Sequence, residues 1–337
     1  MDKKIKILIV RFSSIGDIVL TTPVIRCLKR QLPNAEVHFC TKDVYRNLID
    51  NNLYIDKYYT LNAGLQELIG RLRPEKYDYV IDLHNNLRSN LLKLSLGVRS
   101  FTVRKLNVLK WIYVVFKIDL MPKQHLVDRY LATVTPLGVT DDGLGLDFFI
   151  NSDDQIATTQ LPITHQSGYI AYAIGGQYAT KRLPVSRMIE LCRKIDGPIV
   201  LLGDKNDCRS GDEVVDALGK ELIYNACGKY SLSQSASLLQ QAKVVFSHDT
   251  SLMHVAAALK KKVFSIWGNT TPQLGMYPYK TSYVVLQKQG LACRPCSKIG
   301  SNRCPTGQFR CMNELPFTFE IGDLGEEVTP KVMQTVS

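Results

Sequence analysis

Residues 5–23 read IKILIVRFSSIGDIVLTTP. An apolar stretch, Ile5–Val10, interrupted only by Lys6, gives way to Ser13, Ser14, Gly16 and Asp17, and then to an amphipathic stretch closed by Pro23. An apolar run bounded by turn residues and followed by helical periodicity reads as a strand buried on both faces, a tight loop and a helix. That is the opening of a βαβ unit. The loop is unusual for its position. A phosphate loop ends in Gly-Lys-Ser/Thr and a dinucleotide loop carries Gly-x-Gly-x-x-Gly, and neither is present. In their place stands a single carboxylate, Asp17.

The same rhythm continues outward. Apolar runs at Glu36–Thr41, Tyr77–Leu83 and Ser100–Val103 alternate with helix-length segments. A polar stretch, NSDDQIATTQLPITHQSG (151–168), reads as a linker. The alternation then restarts with YIAYAIGG (169–176), GPIVLLGD (197–204), ELIYNAC (221–227), AKVVFSHDT (242–250) and KVFSIWGNT (262–270). The expectation is an α/β chain of two doubly wound, Rossmann-like domains, 1–160 and 168–337, with a cleft between them and ligands beyond the carboxyl ends of the strands.

Composition narrows the class. The chain has 337 residues, 45% hydrophobic and 22% charged, as in a folded globular protein with two cores. Every long apolar run is broken by Lys, Arg or Asp, so no membrane span is expected. The N-terminus lacks the apolar core and cleavage site of a secretory signal, which points to the cytosol. The formal charge is +11, and the excess is uneven. Between Asn85 and Tyr130 lie nine basic residues, Arg88, Arg104 and Lys105 among them, against two acids, Asp119 and Asp128. Such a field suits an acidic partner. Nucleic acid is disfavoured, because regular aromatic interleaving is missing around Trp111 and Tyr113.

Three strand ends in the second half are furnished for a nucleotide. FSHDTSLMHVAAAL (246–259) runs from a strand into N-cap residue types, Asp249, Thr250 and Ser251, and then into a helical segment carrying Leu252 and His254. A helix start of this kind binds phosphate through its unpaired N–H groups and dipole, although an ordinary capped helix has the same pattern. AIGGQYATKRLP (173–184) offers Gly175, Gly176 and Gln177 for close backbone approach and Lys181 as a point charge. LLGDKND (201–207) adds Asp204. In the first half, SSIGD is joined by DLHNNLRSN (82–90) and the basic window. Ser13 and Ser14 are suited to hydrogen-bond an acceptor, Gly16 to a tight turn, and Asp17 to a base or to a plain helix cap. One half shaped for phosphates and another with a carboxylate amid positive charge suit group transfer.

Of the nine cysteines, Cys27, Cys40, Cys192, Cys208 and Cys227 sit in apolar segments and read as small buried hydrophobes. Cys293, Cys296, Cys304 and Cys311 cluster in one late loop (293–311). There a CxxC pair has metal-ligand spacing while the second pair is wider than in a zinc knuckle. Reduced thiols, a disulfide and a bound metal all fit that spacing.

ILIVRFSSIGDIVLTTPVIRCLKRQLP (7–33) and SHDTSLMHVAAALKKKVFSIWGNTTP (247–272) together resemble glycosyltransferase family 9, the ADP-heptose:lipopolysaccharide heptosyltransferases. CRPCSKIGSNRCPTGQFRCM (293–312) is similar to the late cysteine segment of many members, particularly those like heptosyltransferase II. The resemblance implies a GT-B fold and an inverting, metal-independent, cofactor-free transfer from ADP-L-glycero-D-manno-heptose to a lipid A–Kdo acceptor. It implies Asp17 as general base, Lys181 on the donor phosphates, and Asp249, Thr250, Ser251, Leu252 and His254 around the diphosphate and sugar. Gly175, Gly176, Gln177 and Asp204 are expected to complete the nucleotide-sugar site. Ser13, Ser14, Gly16, Arg88, Arg104 and Lys105 are expected on the acceptor side. The expected partners are an ADP-sugar, an acidic glycolipid and the cytoplasmic face of the inner membrane, with no nucleic acid. A transferase using another nucleotide sugar would share all of these features. A nicotinamide oxidoreductase would not, since no strand is followed by the glycine fingerprint.

Overall fold

A computed structural model of the chain describes residues 4–195, 197–320 and 322. The chain divides into two units, Met1–Leu106 with Gln124–Phe149, and Asn107–Lys123 with Ile150–Ser337.

In the first unit β1 (Ile5–Val10), β2 (Ala35–Lys42), β3 (Lys57–Leu61), β4 (Tyr79–Asp82) and β5 (Arg99–Thr102) form a parallel sheet in the order β3-β2-β1-β4-β5. Central β1 is buried from Ile7 to Val10, which explains the unbroken apolar run over those four residues. Helices α1 (Ile15–Val19), α2 (Thr22–Gln31), α3 (Leu65–Leu72) and α4 (Leu87–Leu96) follow the strands. Pro23 opens α2, where its missing N–H costs nothing. Helix α5 (Asn107–Phe116) packs with the second unit, so chain order and spatial order part there, and α6 (Leu126–Leu131) returns to the first. Arg26, 1% exposed on α2, closes this unit. Its guanidinium holds Asp142 at 2.7 Å, Asp147, and the Gly145 carbonyl at 2.8 Å.

In the second unit β6 (Ile170–Ala173), β7 (Ile199–Leu202), β8 (Ile223–Asn225), β9 (Val245–His248), β10 (Val263–Trp267) and β11 (Tyr283–Gln287) are parallel in the order β11-β10-β9-β6-β7-β8. This is the doubly wound order of a dinucleotide-type domain. Its helices are α7 (Ile163–Gln166), α8 (Val185–Lys194), α9 (Cys208–Leu218), α10 (Leu232–Gln241), α11 (Ser251–Ala258) and α12 (Arg310–Asn313). Phe246 and Phe264 stack with centroids 4.5 Å apart, and Phe319 packs edge-on against both.

Two strands were not anticipated, β3 and β11, and both are sheet edges. An edge strand buries only part of its surface, so KYYTL and YVVLQ lack the continuous burial of the central strands. The stretch 151–168 is not a free linker. The Ile156 N–H donates to Ser237 Oγ at 2.9 Å and the Gln241 amide donates to the Ile156 carbonyl at 2.8 Å, pinning it on α10.

Strand order reverses direction beside β1 and β4 in the first unit and beside β6 and β9 in the second. Ligands of such sheets bind at these switch points.

Candidate active site

At the first switch point, the register Val10↔Asp82 sets the end of β1 beside the end of β4. Arg11, the next residue, is buried, and its Nη1 donates to the Leu83 carbonyl at 2.6 Å while Nε donates to the Ser13 carbonyl at 2.6 Å. Its remaining nitrogen, Nη2, lies 2.7 Å from Asp17 Oδ2. The same oxygen accepts from the Ser14 backbone N–H at 3.2 Å and the Ser14 hydroxyl at 2.9 Å. Asp17 therefore does cap α1, reaching back from the third helical position. All three donors converge on Oδ2, and Oδ1 takes none among the described residues. Cap and base are compatible because they use different oxygens. Burial pushes the Asp17 carboxyl up, but the Arg11 guanidinium and the Ser14 donors outweigh it and hold the group below its ordinary range. The carboxylate is charged at neutral pH.

Two groups beside this cluster, both in the DLHNNLRSN segment, were given no role from the sequence. Asp82 is fully buried and accepts from the backbone N–H groups of His84 and Asn85, the Ser89 hydroxyl and the Lys93 ammonium. His84 packs edge-on against Phe12 at 5.4 Å, and its buried Nδ1 has no hydrogen-bond partner among the described residues. Burial, Arg11 and Lys105 press its pKa down to about 4, so the ring is neutral at pH 7. The signal for both was available. DLH places charged and titratable residues directly after a buried strand, next to the switch point.

At the second switch point, Lys181 Nζ lies 2.7 Å from Asp249 Oδ2 and donates to the Asp249 carbonyl at 3.1 Å. Thr270 donates its hydroxyl to the same carboxylate oxygen at 2.7 Å. The lysine is thus held beside Thr250, the N-cap of α11, whose own side chain makes no capping hydrogen bond among the described residues. His248 is fully buried, and burial presses its pKa down to about 4. Its Nε2 accepts from the Leu183 N–H at 3.1 Å, and its Nδ1 lies 3.1 Å from the Ile174 carbonyl, a pairing only the neutral Nδ1–H tautomer satisfies. This ring ties β9 to the loop carrying Lys181. Gly175 and Gly203 are glycines because a Cβ at either would come within 2.6 or 2.7 Å of Asp207 Oδ2. A Cβ on Gly176 would press on Arg182 and Thr250 at 3.1 and 3.3 Å. An open cavity of about 310 Å³ borders this loop, walled by Ile174, Leu183, Val185 and Met188 with Arg182 and Asp207 at its polar side.

Other residues fall less simply. Ser14 spends its hydroxyl on Asp17, and Gly16 lies buried inside α1 without a positive φ, so no tight turn requires it. Lys105 faces Arg11, Asp82 and Asp17, and burial lowers its pKa. Arg88 and Arg104 are exposed, and among the described contacts their side chains do not join that cluster. Asp204 uses its carboxylate to accept from the Asn206 N–H at 2.7 Å, while Gln177 is exposed. Leu252 and His254 lie on the first turns of α11, His254 buried. Cys208 is half-buried rather than buried, lying 3.1 Å from the Cys227 carbonyl. Cys293, Cys296, Cys304 and Cys311 are free thiols that border one cavity with Thr180 and Asn269.

A family model described as glycosyltransferase family 9 (heptosyltransferase) matches residues 65–305. The chain belongs to glycosyltransferase family 9. This family-9 glycosyltransferase is 24% identical over 294 residues to lipopolysaccharide heptosyltransferase 2 of Escherichia coli K12, covering 79% of this chain and 84% of that protein. It superposes on a family-9 glycosyl transferase of Veillonella parvula with TM-score 0.71 and 20% identity, over 84% of this chain and 86% of that one. The E. coli heptosyltransferase WaaC, solved with ADP-2-deoxy-2-fluoro heptose, gives TM-score 0.64 and 21% identity over 85% and 94%. The family-9 enzyme thus shares the two-domain GT-B fold of these neighbours.

Proposed function

We propose that this glycosyltransferase moves a heptose from ADP-heptose onto the inner core of lipopolysaccharide, with inversion and without a metal ion. The curated relatives bear lipopolysaccharide heptosyltransferase names, and a solved neighbour holds an ADP-heptose analogue, which supports the donor and acceptor classes.

The observation that carries the mechanism is the split use of Asp17, Oδ2 saturated by Arg11 and Ser14 and Oδ1 left open. A sugar hydroxyl is a weak nucleophile and needs a base within hydrogen-bond reach as the new C–O bond forms. Oδ1 takes that proton. Arg11 keeps the carboxylate charged before the step and fixes its orientation. The hydroxyl oxygen bonds to the anomeric carbon as its bond to the diphosphate oxygen breaks, and the electron pair leaves with ADP. A single displacement inverts the centre and needs one carboxylate, not the pair that a covalent sugar intermediate requires. The growing charge on the diphosphate is met by Lys181 and the uncapped start of α11, which deliver fixed positive charge without an ion. The apolar walls of the cavity beside Gly175 suit the nucleoside. Lys105 and neutral His84, facing Asp17, suit the acidic acceptor and its hydroxyls. The protein works at the cytoplasmic face of the inner membrane, where a lipid A–Kdo acceptor is presented.

The test is ADP release from ADP-heptose with a Kdo–lipid A acceptor, with and without EDTA. Acceptor-dependent release that survives EDTA is expected. Its absence overturns the reaction, loss to EDTA overturns the metal-independent part, and preference for another nucleotide sugar replaces the donor.

A further inference from the structure

Lys181 follows Thr180, which is 2% exposed and clasped by the loop that carries the four clustered cysteines. The Thr180 hydroxyl donates to the Ser301 carbonyl at 2.7 Å and accepts from the Ser301 N–H at 2.9 Å. The Thr180 N–H donates to the same carbonyl at 3.1 Å. These bonds, made across 121 residues of sequence, fix the backbone from which Lys181 springs. The close approach is built in, since Gly300 takes φ +124° and a Cβ there would stand 2.5 Å from the Tyr178 ring. The turn leading to it is held by Ser297, whose hydroxyl accepts from the Ile299 and Gly300 N–H groups at 3.2 and 2.9 Å.

The head of the lysine is held from the same loop. Arg294 is half-buried, and its Nη2 donates to the Thr270 carbonyl at 2.8 Å while Nη1 donates to the Lys288 carbonyl at 2.6 Å. The Cys296 N–H donates to the Asn269 carbonyl at 3.1 Å, so the turn after β10 is gripped at two successive residues. Thr270 in turn donates its hydroxyl to Asp249 Oδ2, the oxygen 2.7 Å from Lys181 Nζ. Burial presses the Arg294 pKa down, and among the described contacts its guanidinium meets two carbonyls and the Gln287 amide oxygen but no carboxylate. A cation buried against carbonyls is costly to keep, and here it fixes the Thr270 turn. One grip lands on the residue before Lys181 and the other is one hydrogen bond from the Lys181–Asp249 pair.

We infer that residues 294–301 of the cysteine-bearing loop set the place of Lys181 at the donor diphosphate, with Thr180 and Arg294 as the positioning residues. The inference rests on the proposed function, which puts Lys181 on the leaving phosphates, and it names the segment that holds the ammonium there. Neither Thr180 nor Arg294 touches substrate in this role. Placement matters because a fixed charge stabilises a leaving group best where it need not reorganise. A misplacement of about 1 Å can cost about a hundredfold in rate.

Thr180→Val keeps the shape of the side chain and removes both hydroxyl bonds to Ser301, whereas Thr180→Ser keeps them. Calorimetry with ADP is expected to show binding at least about fivefold weaker in Thr180→Val and in Arg294→Met, and within about twofold of wild type in Thr180→Ser. On a Lys181→Met background, Thr180→Val and Arg294→Met should each change ADP affinity by less than about twofold, because a residue that acts through Lys181 then has nothing left to place. A general loosening of the domain, followed in parallel by melting temperature, would instead weaken ADP equally with and without Lys181. That equality, unchanged affinity in both Thr180→Val and Arg294→Met, or failure of Thr180→Ser to restore binding would each overturn the inference. Unchanged affinity in Lys181→Met alone would overturn the placing of Lys181 on the diphosphate, and with it the donor site proposed above.

Discussion

Replacing Asp17 by Asn separates its two tasks. The amide oxygen occupies the Oδ2 position, where the Arg11 and Ser14 donors converge, and this leaves Nδ2 at the Oδ1 position. A hydrogen-bond donor then stands where the acceptor hydroxyl must release its proton. General-base catalysis contributes roughly 10²- to 10⁴-fold, so turnover should fall at least about a hundredfold, or about 3 kcal/mol of barrier at 1.36 kcal/mol per decade. The structural cost is smaller. Arg11 keeps the carbonyls of Ser13 and Leu83 and the face of Tyr130, and the Ser14 bonds become neutral rather than charge-assisted. Charged hydrogen bonds are worth about 1 kcal/mol more than neutral ones, which sets the stability loss at about 1–2 kcal/mol. ADP release at saturating donor measures the first quantity, and denaturant melts the second. ADP affinity by calorimetry should not change, since the donor groups belong to the other unit. Turnover within about fivefold of wild type would refute the base assignment, and lost ADP affinity would show that the substitution reaches beyond the carboxylate.

Lys181→Met should weaken ADP at least about tenfold in calorimetry, because it removes the cation that Asp249 holds at the start of α11. Gly175→Ala should also weaken ADP while costing about 1–3 kcal/mol in stability, since its Cβ would meet Asp207 Oδ2 at 2.6 Å; unchanged affinity would place the nucleotide elsewhere. Arg26→Met should cost about 2–4 kcal/mol at pH 7, less than a fully buried pair because Asp142 and Asp147 keep some solvent. Hydrogen bonding to Arg26 holds Asp142 down to about 2, below its unfolded value near 4. That stability is present above about pH 4 and is lost as pH falls toward 2, so denaturation midpoints at pH 7 and pH 3 should differ less in Arg26→Met than in wild type.

The central strands were legible because burial on both faces leaves an unbroken apolar run, as in Ile7–Val10 or Ile199–Leu202. Edge strands β3 and β11 were not, because at these sheet edges burial is only partial and KYYTL and YVVLQ lack the long apolar run of a central strand. Lys181 and Asp249 were singled out separately, and only the fold shows that they pair at 2.7 Å across a separation of 68 residues. Arg11, Asp82 and His84 lie in stretches that the sequence marks as strand ends, but their relation to Asp17 depends on the parallel register of β1 and β4.

By itself, the sequence determined the class of the molecule and its chemistry-bearing strand ends, since apolar periodicity and loop composition are local properties. The tertiary structure decided which polar groups share a site and how each is used. Whether Asp17 caps a helix or also offers a free oxygen depends on where the three donors approach. Whether Leu94 and Trp111 face the core or the solvent depends on what packs against the reverse of each helix. Both are set by contacts between residues far apart in the chain, where packing and not local pattern chooses the partner.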